Sequence, residues 1–189
     1  MIRQLAERSR TYRRFFEEVK IPKETLWGLV DLTRFVPSTA NGQVLTYRVV
    51  DSEDEKEKIF PLIGWAGALP DWDGPKKGER PSAYILICCD AKRGPKRPID
   101  EGIAAQTIML GATEEGYGGC MIANFKRDEA AKILGIDTER YSPELLLALG
   151  KPKEEVVIVP VDESGSMKYY RDENQVHYVP KRRLEDILM

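Results

Sequence analysis

Two basic clusters stand at opposite ends of the chain, Arg8-Ser9-Arg10-Thr11-Tyr12-Arg13-Arg14-Phe15 and Pro180-Lys181-Arg182-Arg183. From Met1 to Arg14 there are five arginines and a single acid, Glu7. Guanidinium groups with a lysine and the Thr11 hydroxyl supply charge and directed donors together, which suits a phosphate. Taken singly, such runs also fit a solvated surface or a nucleic-acid contact, although aromatic interleaving is limited to Tyr12, Phe15 and Phe16. A third stretch, Pro37-Ser38-Thr39-Ala40-Asn41-Gly42-Gln43, offers short hydroxyls, an amide pair and a glycine, a set that can meet a polar planar ligand or merely lead the chain out of a helix. A fourth, Glu115 to Phe125, contains Gly116, Gly118 and Gly119, which permit close backbone approach. It lacks the Gly-x-Gly-x-x-Gly order of a dinucleotide fingerprint and follows a helix instead of a strand.

The elements that must position these stretches alternate between helix and strand. Helical patterns are expected over residues 2–9, 23–35, 53–62, 100–116 and 128–134, and strands over 46–50, 82–90, 117–122 and 144–150. The near-continuous apolar run from Ser82 to Asp90 predicts a central strand. Small residues at 102, 104, 105, 111 and 112 predict close packing of their helix. Short strands are expected after Val156, one of them carrying His177. Residues 64–81 hold Trp65, Trp72, four glycines and three prolines, and form an irregular excursion able to cover a pocket. The pattern predicts one α+β domain over residues 1–189, built around one sheet.

Composition narrows the chemistry. His177 is the one histidine, which leaves a Ser-His-Asp hydrolase or a multi-histidine metal site without parts unless His177 itself is catalytic. Cys88, Cys89 and Cys120 form no Cys-x-x-Cys pair and fit a reducing cytoplasm better than a disulfide-bonded fold. No metal site is expected. A net charge of −2, from 29 basic and 31 acidic residues, argues against a general nucleic-acid binder, and no apolar run is long enough for a membrane span or a signal peptide. Any redox or group-transfer chemistry is expected to come from a bound organic cofactor, with a structural or solvent-facing role for His177 and a packing role for Cys120.

In order along the chain, these pieces resemble the FMN-dependent nitroreductase family. The resemblance rests on Arg10-Thr11-Tyr12-Arg13-Arg14-Phe15, on Arg34-Phe35-Val36-Pro37-Ser38-Thr39-Ala40-Asn41-Gly42-Gln43, and on Asp100, Gly102, Ala104 and Gln106 at alternate positions. It continues through Gly116-Tyr117-Gly118-Gly119-Cys120 to Asn124-Phe125, Pro143 to Pro152, and Lys181-Arg182-Arg183-Leu184. Val44-Leu45 replace the family's usual Pro-Trp, Ala123-Asn124 its frequent Glu-Gly, and Gly67-Ala68 an Asn near the polar flavin edge.

The resemblance implies a nitroreductase-like fold: a mostly antiparallel, mixed central sheet flanked by helices, in a cytoplasmic homodimer whose subunits share each FMN site. It implies that Arg10, Thr11, Arg13, Lys181 and Arg183 (or Arg182) hold the phosphate and ribityl chain. Pro37, Ser38 and Thr39 would reach the flavin from the partner subunit, with Asn41 and Gln43 close behind, and Ile122, Ala123 and Asn124 would run along the ring. The implied activity passes electrons from NADH or NADPH through FMN to a nitroaromatic, quinone or related small acceptor, with no side chain as covalent catalyst. The alternatives are a specialised flavoenzyme of the same fold, acting in dehalogenation or flavin remodelling, and a non-catalytic flavin sensor.

Overall fold

A computed structural model describes residues 1–69 and 71–189; Pro70, inside the 64–81 excursion, lies outside the described residues. In chain order the elements are α1 (Ile2–Arg8), β1 (Phe15–Phe16), α2 (Lys23–Asp31), β2 (Leu45–Val50), α3 (Glu53–Ile59), β3 (Ala83–Asp90) and α4 (Pro98–Glu114). They continue as β4 (Gly118–Ile122), α5 (Arg127–Ile133), β5 (Tyr141–Pro152), β6 (Val156–Pro160), β7 (Tyr170–Arg171) and β8 (His177–Lys181).

The main sheet runs β1-β5-β3-β2, with β4 also paired to β5, and each of these pairings is antiparallel. All eight residues of β3 are buried because both of its faces are covered. Ala83, Ile85 and Ile87 pack with Leu26 and Leu29 of α2 and with Ala105, Ile108, Met109 and Ala112 of α4. Tyr84, Leu86 and Cys88 point the other way, to Ile59, Ile63, Phe125 and Ala130. The two-residue alternation of a strand thus sorts one apolar run into two cores.

The helix expected over 23–35 ends as α-helix at Asp31 and tightens into a 3-10 turn over Leu32–Phe35. Pro37 then drives Val36 into extended backbone, at φ −93° and ψ 153°. The strand expected over 144–150 is longer, because a register shift beside Pro143 lets pairing resume as far as Tyr141. Proline has no N–H for the ladder, so an irregularity there is the way through. Small residues in α4 serve close packing: a Cβ at Gly111 would stand 2.5 Å from Leu32 Cδ1.

A second sheet, β6-β8-β7, departs from the single sheet expected. Its β6 and β8 are parallel, and β7 and β8 antiparallel. The N-terminal segment reaches this sheet by following β4 and β5: Thr11 bridges Gly119, Tyr12 N–H donates to Gly119 C=O at 2.9 Å, and Phe15 pairs with Pro152. Among the described residues, no helix is long and apolar enough to cross a membrane.

Candidate functional site

The chain ends meet at a cavity of about 400 Å³. Ser9, Arg10, Thr11 and Arg13 line it from the N-terminal segment, and Val156, His177, Pro180 and Lys181 from the second sheet. Glycines make the approach possible. A Cβ at Gly118 would lie 2.5 Å from the Tyr12 ring, and one at Gly119 would lie 2.3 Å from the Ala148 carbonyl oxygen. Arg10 donates to the Ala6 carbonyl, while its Nε is buried without a partner. The Arg13 guanidinium lies 4.8 Å above the Tyr169 ring, a cation–π contact that fixes its direction.

Behind the cavity the Glu154 carboxylate is wholly buried. Its Oε1 accepts from the backbone N–H groups of Arg13 and, at 3.2 Å, Arg14, and its Oε2 accepts from Arg171 Nη2 at 2.9 Å. Arg14 Nε lies 3.6 Å and His177 Nδ1 3.8 Å from the same Oε2. Burial on its own raises the Glu154 pKa. The neighbouring His177 ring, the Arg13 N–H and the Arg171 guanidinium outweigh it and hold the group at about 2. A charge placed here ties residues 13–14 to β7 and β8, and so fixes how the two basic clusters face each other.

Pro37, Ser38, Asn41 and Gln43 line a different cavity, of about 220 Å³, that shares no lining residue with the first. Ala40, Asn41 and Gln43 have φ of 52°, 52° and 45°, a left-handed conformation that costs about 1–3 kcal/mol per non-glycine residue. Asp100, in the first turn of α4, holds the loop in place. Its carboxylate accepts from Thr39 N–H at 2.9 and 3.1 Å and from the Thr39 hydroxyl at 2.6 Å.

Ile122, Ala123 and Asn124 line neither cavity. Ile122 is buried, whereas Ala123 and Asn124 are exposed where β4 ends. Asn124 C=O accepts from Gly64 N–H at 2.9 Å, so the end of β4 abuts the start of the 64–81 excursion. Arg183 is exposed, just beyond β8, with its guanidinium 4.0 Å from Glu185.

The excursion is anchored to the cavity wall. Trp65 meets Trp72 edge to face at 6.5 Å, Arg171 sits 4.3 Å over the Trp72 ring, and Ala68 N–H donates to the Tyr169 hydroxyl at 3.4 Å. Cys120 is buried, and burial pushes its thiol up to about 11, which leaves it protonated at neutral pH.

Arg10, Thr11, Arg13 and Lys181 are therefore brought together; the 37–43 loop, residues 122–124 and Arg183 stand apart from them within one chain. Sequence reasoning missed Glu154 and Tyr169, whose neighbours along the chain carry no signal, and it assigned His177 no place on a cavity wall.

The model of the Nitroreductase family matches residues 6–151. The Bacillus subtilis protein YdgI, provisionally named an NAD(P)H nitroreductase, is 25% identical over 187 residues, covering 77% of this chain and 86% of its own. A provisionally named nitroreductase from Exiguobacterium sibiricum, solved in complex with FMN, superposes with a TM-score of 0.70 at 22% identity, covering 82% of this chain and 89% of that one. A nitroreductase family protein from Streptococcus pneumoniae superposes at 0.71 with 16% identity, covering 100% of this chain and 99% of that one.

Proposed function

The chain belongs to the nitroreductase family, and from that membership we propose that it is an FMN-dependent oxidoreductase that takes electrons from NADH or NADPH and delivers them to a nitroaromatic, quinone or related small acceptor. The observation that carries this reading is the meeting of Arg10, Thr11, Arg13 and Lys181 around one cavity, with Arg10 Nε buried and unpartnered. Cationic donors that converge on one cavity, with Arg13 buried and no carboxylate lining the cavity beside them, fit a phosphate.

FMN, when bound, supplies the ring that accepts and gives up hydride. The protein's share is binding, orientation and exclusion of water. Arg10, Arg13 and Lys181 hold the phosphate with Thr11 as a hydroxyl donor, and Arg183, outside the cavity lining and past the end of β8, would have to turn from Glu185 to join them. Ile122, Ala123 and Asn124 present the edge of β4 to the ring. The excursion over residues 64–81, with Trp65 and Trp72, closes the site against water.

Two copies of the chain complete each site in this reading. Pro37, Ser38 and Thr39, with Asn41 and Gln43, serve the partner's flavin, which accounts for a loop held in strained conformation away from its own chain's basic cavity. Phe35 and Ile99 beside that loop are each 73% exposed, apolar surface that a second copy would cover. Residues 1–189 act as one unit, and three free buried thiols suit work in the cytoplasm.

The test is anaerobic reduction. The protein-bound flavin band bleaches on addition of NADH or NADPH and returns on addition of a quinone or nitroaromatic. Bleaching by dithionite but by neither nicotinamide would contradict the donor; colour that no acceptor restores would contradict turnover and favour a sensor.

A further inference from the structure

His177 is 1% exposed, lines the basic cavity, and has neither ring nitrogen hydrogen-bonded. Buried imidazoles are ordinarily satisfied, and an orphaned polar group on a cavity wall asks for a partner from within the cavity. Its surroundings are specific. Glu154 Oε2 lies 3.8 Å from Nδ1 and the Tyr169 ring packs 5.2 Å away. Arg14 and Arg171 bear on the same Glu154 carboxylate. With Nδ1 turned to a buried carboxylate, that nitrogen is the favoured seat of a proton, and Nε2 is the one left for the cavity.

We propose that His177, backed by Glu154, is a further ligand of an anionic phosphate monoester in this cavity, its Nε2 donating a hydrogen bond beside Arg10, Arg13 and Lys181. The inference rests on the flavin reading given above and adds to it one residue and a carboxylate–imidazole pair. The strand β8 carries both His177 and Lys181, so a single element sets two of the donors. A ring that points Nδ1–H toward Glu154 and Nε2–H toward a phosphate stands between two anions, with one N–H for each. A neutral flavin without the phosphate gives it nothing to donate to.

Because His177 is the one histidine in the sequence, its imidazole signals in a 1H–15N spectrum of the wild-type protein need no assignment by mutation. The spectrum is recorded with FMN and with riboflavin, which share a ring and differ in the phosphate. FMN is expected to shift the Nε2 signal and riboflavin to leave it in place. FMN that binds without moving the signal, or both flavins moving it equally, overturns the inference while the flavin reading stands. Failure of FMN to bind overturns that reading and the inference together. In titrations, His177→Phe is expected to weaken FMN on the order of ten- to a hundredfold while leaving riboflavin affinity unchanged. His177→Gln, which retains a donor, recovers part of that loss. Equal weakening of both flavins marks a structural role and contradicts the proposal.

Discussion

Glu154 and Arg171 meet at 2.9 Å with side chains that are 0% and 8% exposed, and the two ends of the chain are joined around that pair. The same carboxylate takes the backbone N–H groups of Arg13 and Arg14, and Arg171 in turn lies over Trp72. One buried acid therefore links the N-terminal basic run, the second sheet and the covering excursion.

Replacing Glu154 by Gln leaves Arg171 buried without its charge partner, and the expected loss is about 3 kcal/mol of folding stability at pH 7. The folded-state pKa of about 2 lies below the ordinary glutamate value of about 4.3, so the carboxylate stabilises the fold fully above that value. This contribution fades as pH falls from about 5 toward 2. Urea unfolding at pH 7 and pH 3 checks both points: the gap between wild type and Glu154→Gln is wide at pH 7 and narrows at pH 3.

Arg10→Ala and Arg13→Ala each remove a charged donor from the basic cavity. Each is expected to weaken FMN on the order of ten- to a hundredfold, with riboflavin affinity nearly unchanged. Flavin fluorescence titration reads both constants.

Asp100→Ala deprives Thr39 of all three of its hydrogen bonds to the carboxylate. The left-handed Ala40, Asn41 and Gln43 then lose the anchor that holds them, at a cost of about 2 kcal/mol. Hydrogen exchange at the amides of residues 39–43 is expected to accelerate, with little change in β3 or β5.

Phe35→Glu combined with Ile99→Glu places charge on apolar surface beside that loop. In sedimentation the double variant is expected to run as a monomer where the wild type runs as a dimer, and to lose flavin as it does so. A monomeric wild type that holds FMN at full occupancy would contradict a site shared between subunits.

Much of the main sheet is legible in the residues. The run from Ser82 to Asp90 could be buried on both faces only in the middle of a sheet, and β3 occupies that place between β2 and β5. The basic runs alone left phosphate, solvated surface and nucleic acid open; the family resemblance pointed Arg10, Arg13 and Lys181 to one phosphate, and all three line one cavity. The second sheet was not legible as a sheet, since β6 and β8 are short, half-exposed and paired in parallel across a long separation. Glu154 follows Lys153 and precedes Glu155, so its neighbourhood in sequence is that of solvated surface. The arrival of residues 13–14 along β5, with Arg171 of β7 and His177 of β8, encloses it. His177 shows the same limit: a strand position was readable, but not the carboxylate and cavity on either side of it.

If the two basic ends of the chain together hold FMN, the flavin content of the purified protein shows it. The protein is then yellow and, on denaturation, releases FMN at about one molecule per chain, as read by chromatography and absorbance. Colourless protein that takes up no FMN on reconstitution, or a released flavin lacking the phosphate, would contradict it.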